Sequence, residues 1–508
     1  MRSSVSLTAS VALLATTTLA AAEDRFVGPG EAYDTIDAAL RDSADGDVVI
    51  VRAGTYTEAL TTRGAGVTLR GEGEVIVTTA GRVLDVQHDR FRVENVIFDA
   101  QMADTRGVRV EADGFRLVRS TVRNVRGHCV DLRTVDDVEI DESVIHSCMD
   151  ADIDGCSDPS CQADAHGIVG GAVEGLLVRN TEIHTFSGDA IQLDSDWRSA
   201  SRPWTDVRVE GCTFWVAPLE APLGGVAAGI VAAENAIDTK TQPSFADVSQ
   251  MAIVDTVAYG FRSDLINNAA AFNLKQDVVF SVERVSVYDS EIAFRLRGAG
   301  GDHSRGARVT LENIVIWDVD TAIRHEDDIA PITLRHVTFG ADIGRVLQDA
   351  SSSGTFVVGN VLVLGTAPAQ LGGAFEVGVE VFMGADDYRL VAGASVIDMG
   401  EDLGVPVDRV GIARPQGAAP DPGAYEWCAD CEPIDAGVRD AGRTDGGGAD
   451  GGPGSDAGPR ADAGGTDARA GDAGEGGGGG GCGCRTSGAS PTSALFLLLL
   501  LVLRKRVA

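Results

Sequence analysis

The sequence predicts an all-β fold wound as a solenoid, a parallel β-helix. One observation is a recurring element: a small residue, an apolar residue, any residue, then usually an apolar one. It stands as "GVRV" (107–110), "CVDL" (129–132), "GIVG" (167–170), "AIQL" (190–193), "AIDT" (236–239), "AFNL" (271–274), "AFRL" (293–296) and "AIRH" (322–325). A second is the partner that follows each time, such as "FRLVRSTV" (115–122), "LLVRNTEI" (176–183), "VRVEGCTF" (207–214) and "ITLRHVTF" (332–339). The third is periodicity. Apolar and polar residues alternate over four to eight positions, β-branched residues are frequent, and no sustained helical pattern interrupts them. Units as short as about 22 residues have too few turn signals for a meander of hairpins, but can stack as coils about 4.8 Å apart.

Taken in order, the elements fit one solenoid with appended ends. Residues 1–22 carry one Arg, an apolar stretch and an Ala-rich end, the pattern of a secretory signal peptide. "YDTIDAALRDS" (33–43) sets Ile36, Ala39 and Leu40 on one helical face and reads as a capping helix. "GDVVIVRAGTYTEAL" (46–60) gives the first strand and turn. The coils follow, with Asn95, Asn180, Asn313 and Asn360 recurring after the second element, where a left-handed residue suits a tight bend. The solenoid is expected over 23–428, closing through "DYRLVAGASVIDMG" and "RPQGAAPDPGAYEWC". From 429 to 481 Gly, Asp and Ala dominate, no core can form, and a solvated acidic linker is expected. Residues 482–508 hold a Cys pair, an apolar run too short for a stable span, and a basic end.

The start, "DTIDAAL…GDVVIVRAGTYTE…GVTLRGEG", and the end, "DPGAYE" (421–426), resemble pectin-lyase-like right-handed parallel β-helix proteins of bacteria. The resemblance implies a single-stranded right-handed parallel β-helix with an N-terminal capping helix. The last segment resembles the three-part C-terminal sorting tails of myxobacterial surface proteins. That likeness implies a membrane or lipid anchor at Cys482 or Cys484 and a secreted, surface-anchored protein.

A net charge of −34 over 508 residues argues against a nucleic-acid partner. Cys129, Cys148, Cys156 and Cys161 cluster, and Cys428 and Cys431 form a CxxC. In a secreted chain these read as disulfides, for instance Cys156 with Cys161, while His128, His146 and His166 nearby leave zinc as an alternative. Cys212 reads as a buried free thiol.

The candidate site comes from superposing the coils. The third position of the first element gives Gln192, Asp238, Asn273 and Arg295; two residues on come Asp194, Lys240, Lys275 and Arg297. Residues i and i+2 of a strand face the same way, so both series point outward. One residue before the element stand His128, His166, Asp189 and Asn235. Lysine occurs only at 240, 275 and 505. Two of the three fall at matching places, and arginine, used elsewhere, cannot act as a base. Two neighbouring amines would depress each other's pKa, leaving Lys240 or Lys275 as a general base. Asp189, Asp194, Asp196 and Asp238 could hold Ca²⁺ through oxygen ligands, and Arg297 could steady developing charge. Gln192, Asn273 and Arg295 would bind substrate, with Trp197, Trp204 and Trp215 stacking on sugar rings. The expected activity is β-elimination on an acidic polysaccharide. "SGDAIQLDSD" (187–196) offers carboxylates to a hydrolase, but Ala190 stands where polygalacturonase-like hydrolases carry a second aspartate. The alternative is a monomeric surface module that binds glycan or another cell without chemistry.

Overall fold

The computed structural model describes residues 22–431 apart from 196–200, 328, 330 and 351–354. The chain divides into two units, Met1–Arg443 and Thr444–Ala508. The second unit, residues 1–21, and most of the expected linker lie outside the described residues, as do Asp196, Trp197, Cys482 and Cys484.

The first unit is a right-handed parallel β-helix. Eleven strands form one wholly parallel sheet, running from Leu60–Thr61 to Ile343–Asp349 in strict chain order. Its inward ladder runs Leu60, Leu84, Val108, Val130, Ile168, Ile191, Ile237, Phe272, Phe294, Ile323 and Leu347. Like residues stack on like, and the rings of Phe272 and Phe294 lie 5.1 Å apart. Dispersion and exclusion of water along such ladders hold the coils together.

The second repeated element folds as two strands. "VRVEGCTF" breaks into Thr205–Glu210 and Thr213–Trp215. The break is one left-handed residue in coil after coil: Asn95, Arg119, Glu142, Asn180, Gly211, Asp255, Arg284, Asn313, His336 and Asn360, with φ between 46° and 63°. Each coil therefore has three strands. The second and third belong to a 24-stranded sheet, because the long strand Thr68–Thr78 pairs with both Arg92–Glu94 and Ile97–Asp104 and joins the two ladders.

The cap at the start is the helix Ile36–Asp42. Thr35 accepts from the Ala38 amide at its N-terminus, and Ile36, Ala39 and Leu40 are buried as their spacing predicts. At the other end Val315, Leu362, Phe382, Tyr388, Leu390 and Ala424 form a second apolar cluster. Beside it Arg414 and Glu426 make a buried ion pair at 2.8 Å.

Disulfides join Cys129 to Cys148, Cys156 to Cys161 and Cys428 to Cys431. The cysteines of a zinc site are thus spent, and His128 and His146 stack on His166 and His184 instead. Cys212 is free and buried, and burial pushes its thiol up to about 12.

Candidate functional site

Strand register brings the two polar series together. Gln192 pairs with Asp238, Asp238 with Asn273, Asn273 with Arg295, Arg295 with Arg324 and Arg324 with Gln348, one coil per step. In the neighbouring row Asp194 lies beside Lys240, and Arg297 beside Glu326. Lys275 follows the strand Ala270–Leu274, and its amide donates to Thr239 Oγ1 at 3.1 Å. No coil intervenes between the lysines, although the repeat separating them is long.

Both amines converge on one carboxylate. Lys275 Nζ lies 2.7 Å from Asp238 Oδ1 and donates to Oδ2 at 3.0 Å. Lys240 Nζ lies 3.7 Å from Asp238 Oδ2 and 3.8 Å from Asp194 Oδ2. Asp238 is almost fully buried. This overturns the expected depression of the lysine pKa at position 240. Burial does pull the Lys240 amine down, but the carboxylates of Asp238, Asp189, Asp194 and Asp164 outweigh it, and its pKa is raised. Lys240 is held as an ammonium ion and makes a poor base in the free protein.

The preceding column is a buried polar cluster. Asp189 is fully buried, and its oxygens accept from the Gln192 amide at 2.8 Å and the Asn235 amide at 2.7 Å. Burial first, then the charges of Asp238 and Glu234, push its pKa well above the carboxylate range. His166 Nδ1 accepts from the Asp189 backbone amide at 2.8 Å, and burial holds the ring neutral with a pKa of about 4.

Sequence reasoning missed Glu234, which opens "ENAIDTK" immediately before Asn235. Burial, then Asp164 and Asp238, raise its pKa to about 7 against the pull of Lys240 and Lys275. Gln162 donates to its Oε1 at 3.2 Å and to Asp164 Oδ1 at 2.6 Å. Position in the repeat was the available signal: Glu234 lies one residue before a column already singled out. Its perturbation was not visible, since Gln162 and Asp164 come from the Cys-rich insert.

Several expected roles change. Trp204 is fully buried and donates from Nε1 to the Lys240 carbonyl at 3.0 Å, so it pins a loop and offers no face to a sugar. Trp215 lies in an outward stack on the other sheet, between His184 at 4.3 Å and Tyr259 at 6.3 Å, with both ring faces covered. Arg295 and Arg297 are committed to Glu326, at 2.9 Å and 3.3 Å, and Arg297 also reaches Asp327 at 3.3 Å. Burial raises the Glu326 pKa, but Arg295, Arg324 and Arg297 together hold it below the usual range.

Calcium takes six to eight oxygen ligands. Among the described residues no three His, Cys, Asp or Glu side chains are grouped to hold a metal ion. Asp238 is already neutralised by Lys275, and Asp189 is covered by two amides. Asp189, Asp194 and Asp238 as placed do not form a calcium cradle. Among the buried acceptors of this face, Asn273 Oδ1, between Asp238 and Arg295, has no hydrogen-bond partner among the described residues.

No protein-family model matches the chain, and no curated protein matches it. Among solved structures it is similar to pectate lyase Pel9A, at 14% identity over 80% of this chain and 96% of that one, TM-score 0.46. It is similar to alginate lyase from Paenibacillus sp. str. FPU-7, at 13% identity over 65% of this chain and 97% of that one, TM-score 0.40. Polygalacturonase from Erwinia carotovora ssp. carotovora matches at 11% identity over 67% and 91%, TM-score 0.39. Nothing about the chain's activity follows from likenesses this distant.

Proposed function

We propose that this outward face acts on an acidic polysaccharide by β-elimination. The carrying observation is the meeting of two lysine amines on adjacent coils at one buried carboxylate, beside a carboxyl group that titrates near neutrality. A uronate carboxylate would pair with the ammonium groups of Lys240 and Lys275, which acidifies the adjacent C5–H. Glu234, ionised above about pH 7, takes that proton. The C5 electron pair forms the C4=C5 double bond as the C4–O bond breaks, and the departing oxygen collects a proton from a lysine ammonium or water. The open Asn273 carbonyl oxygen would accept from a sugar hydroxyl. The base is thus reassigned from lysine to Glu234, and no step passes through calcium.

The raised pKa of Lys240 also favours a second reading, a glycan-binding face without turnover. Three disulfides support an oxidising compartment for either. The leader at 1–22 and the anchor at Cys482 or Cys484 belong to the same proposal.

The test offers pectate, alginate and glycosaminoglycans to the purified protein, with and without Ca²⁺, and follows the ultraviolet absorbance of unsaturated uronate. Elimination predicts a rise that survives Lys240→Arg in large part and is lost in Glu234→Gln. Binding of a polymer with no rise would leave the second reading standing and remove the first.

A further inference from the structure

The row that carries Asp238 runs on through Asn273, Arg295 and Arg324 to Gln348, which lies on the last strand of the sheet. There it enters a cleft of about 330 Å³ lined by Asn268, Ile292, Thr321, Arg324, Arg345 and Gln348. Ile292, a buried residue, is its one large apolar lining residue, and the acids Glu291 and Asp320 also line it. Its walls carry planar amide and guanidinium groups, which suit sugar hydroxyls and carboxylates.

Most charge in the cleft is already committed. Glu291 accepts from the Asn268 and Ala269 amides at 3.0 and 3.1 Å. Asp320 accepts from Arg262 at 2.9 Å. Arg324 donates to Glu326 at 2.7 Å and to Asn268. Arg345, opposite Thr321 in register, is exposed and has no ion-pair partner among the described residues. The Gln348 carbonyl oxygen accepts weakly from Thr321 at 3.5 Å, which leaves its amide nitrogen to donate.

We propose that this cleft is a distal subsite for a linear uronate oligosaccharide laid along the solenoid axis, with Arg345 pairing with a sugar carboxylate. The inference rests on the uronate reading of the lysine pair. From the coil of Lys275 to that of Arg345 there are three steps, about 14 Å. A chain of several sugar rings spans that length and a disaccharide does not. Carboxylate binding at both ends selects chains that carry a uronate at each end of that span.

The experiment measures binding of the purified protein to galacturonate and mannuronate disaccharides and pentasaccharides by titration calorimetry at about pH 5, where the Glu234 carboxyl group is protonated and no chain is cleaved. Wild type is expected to bind one pentasaccharide about tenfold more tightly than its disaccharide. Arg345→Ala should abolish that gain and leave disaccharide affinity unchanged, whereas Lys275→Arg should alter both lengths alike. Equal affinity for both lengths in the wild type overturns the subsite while sparing the lysine site. So does a loss in Arg345→Ala that is the same for both lengths. Binding of no uronate of either length overturns the lysine reading and this inference with it.

Discussion

At the scale of single residues, the site depends on where protons sit. The spacing of the repeats placed Lys240, Lys275, Asp238 and Gln192 on one face, and register alone was enough for that. It could not supply protonation, because the charges that set it arrive from other segments. Asp164 comes from the Cys-rich insert, and burial of Glu234 depends on the packing of several loops. The consequence is measurable as stability. The Glu234 pKa is raised to about 7 in the fold from an ordinary 4.5. Its protonated form therefore contributes stability that is full below about pH 4.5 and is lost as pH rises through 7. Glu234→Gln should match the wild type near pH 4.5 and exceed it at pH 8, by about 2–3 kcal/mol in urea unfolding. A constant difference between the two proteins across that range would contradict the assignment.

At the scale of elements, the coil itself was legible. Alternation gave the strands, and Asn95, Asn180, Asn313 and Asn360 marked the bend that all four adopt with φ near 50°. Six other coils make the same bend with Arg119, Glu142, Gly211, Asp255, Arg284 or His336, so residue type marked only part of a geometry imposed by the stack. A left-handed backbone costs a non-glycine residue about 1 kcal/mol, less for Asn. Glu142→Asn should accordingly raise stability by about 0.5 kcal/mol in chemical denaturation, because the bend at φ 48° stays and its strain falls. Within the inner ladder, Phe272→Ala removes a ring stacked on Phe294 and fully enclosed. A loss of about 3–5 kcal/mol is expected in the same assay. The sequence left two or three strands per coil open, since one left-handed residue leaves the alternation of side chains almost undisturbed.

At the scale of the whole solenoid, stability depends on closing its ends, since an open coil edge exposes unpaired backbone and core. "DPGAYE" was readable as a closing segment, but its lock was not. Arg414 is buried and donates to Glu426, the Asp421 and Gly423 carbonyls and Asn313, tying the last segment back to a coil about a hundred residues earlier. Glu426→Gln leaves that guanidinium charged and poorly compensated and should cost about 3–5 kcal/mol in thermal or urea unfolding. On the same scale, stacking is what brings distant stretches of chain onto one polar face. The most direct measurement is the rate of unsaturated-uronate formation at pH 8 by wild type and by Glu234→Gln, with folding and polymer binding checked in parallel. The expected result is a fall of about 10²–10⁴-fold with binding retained. An undiminished rate in the folded variant would contradict the account.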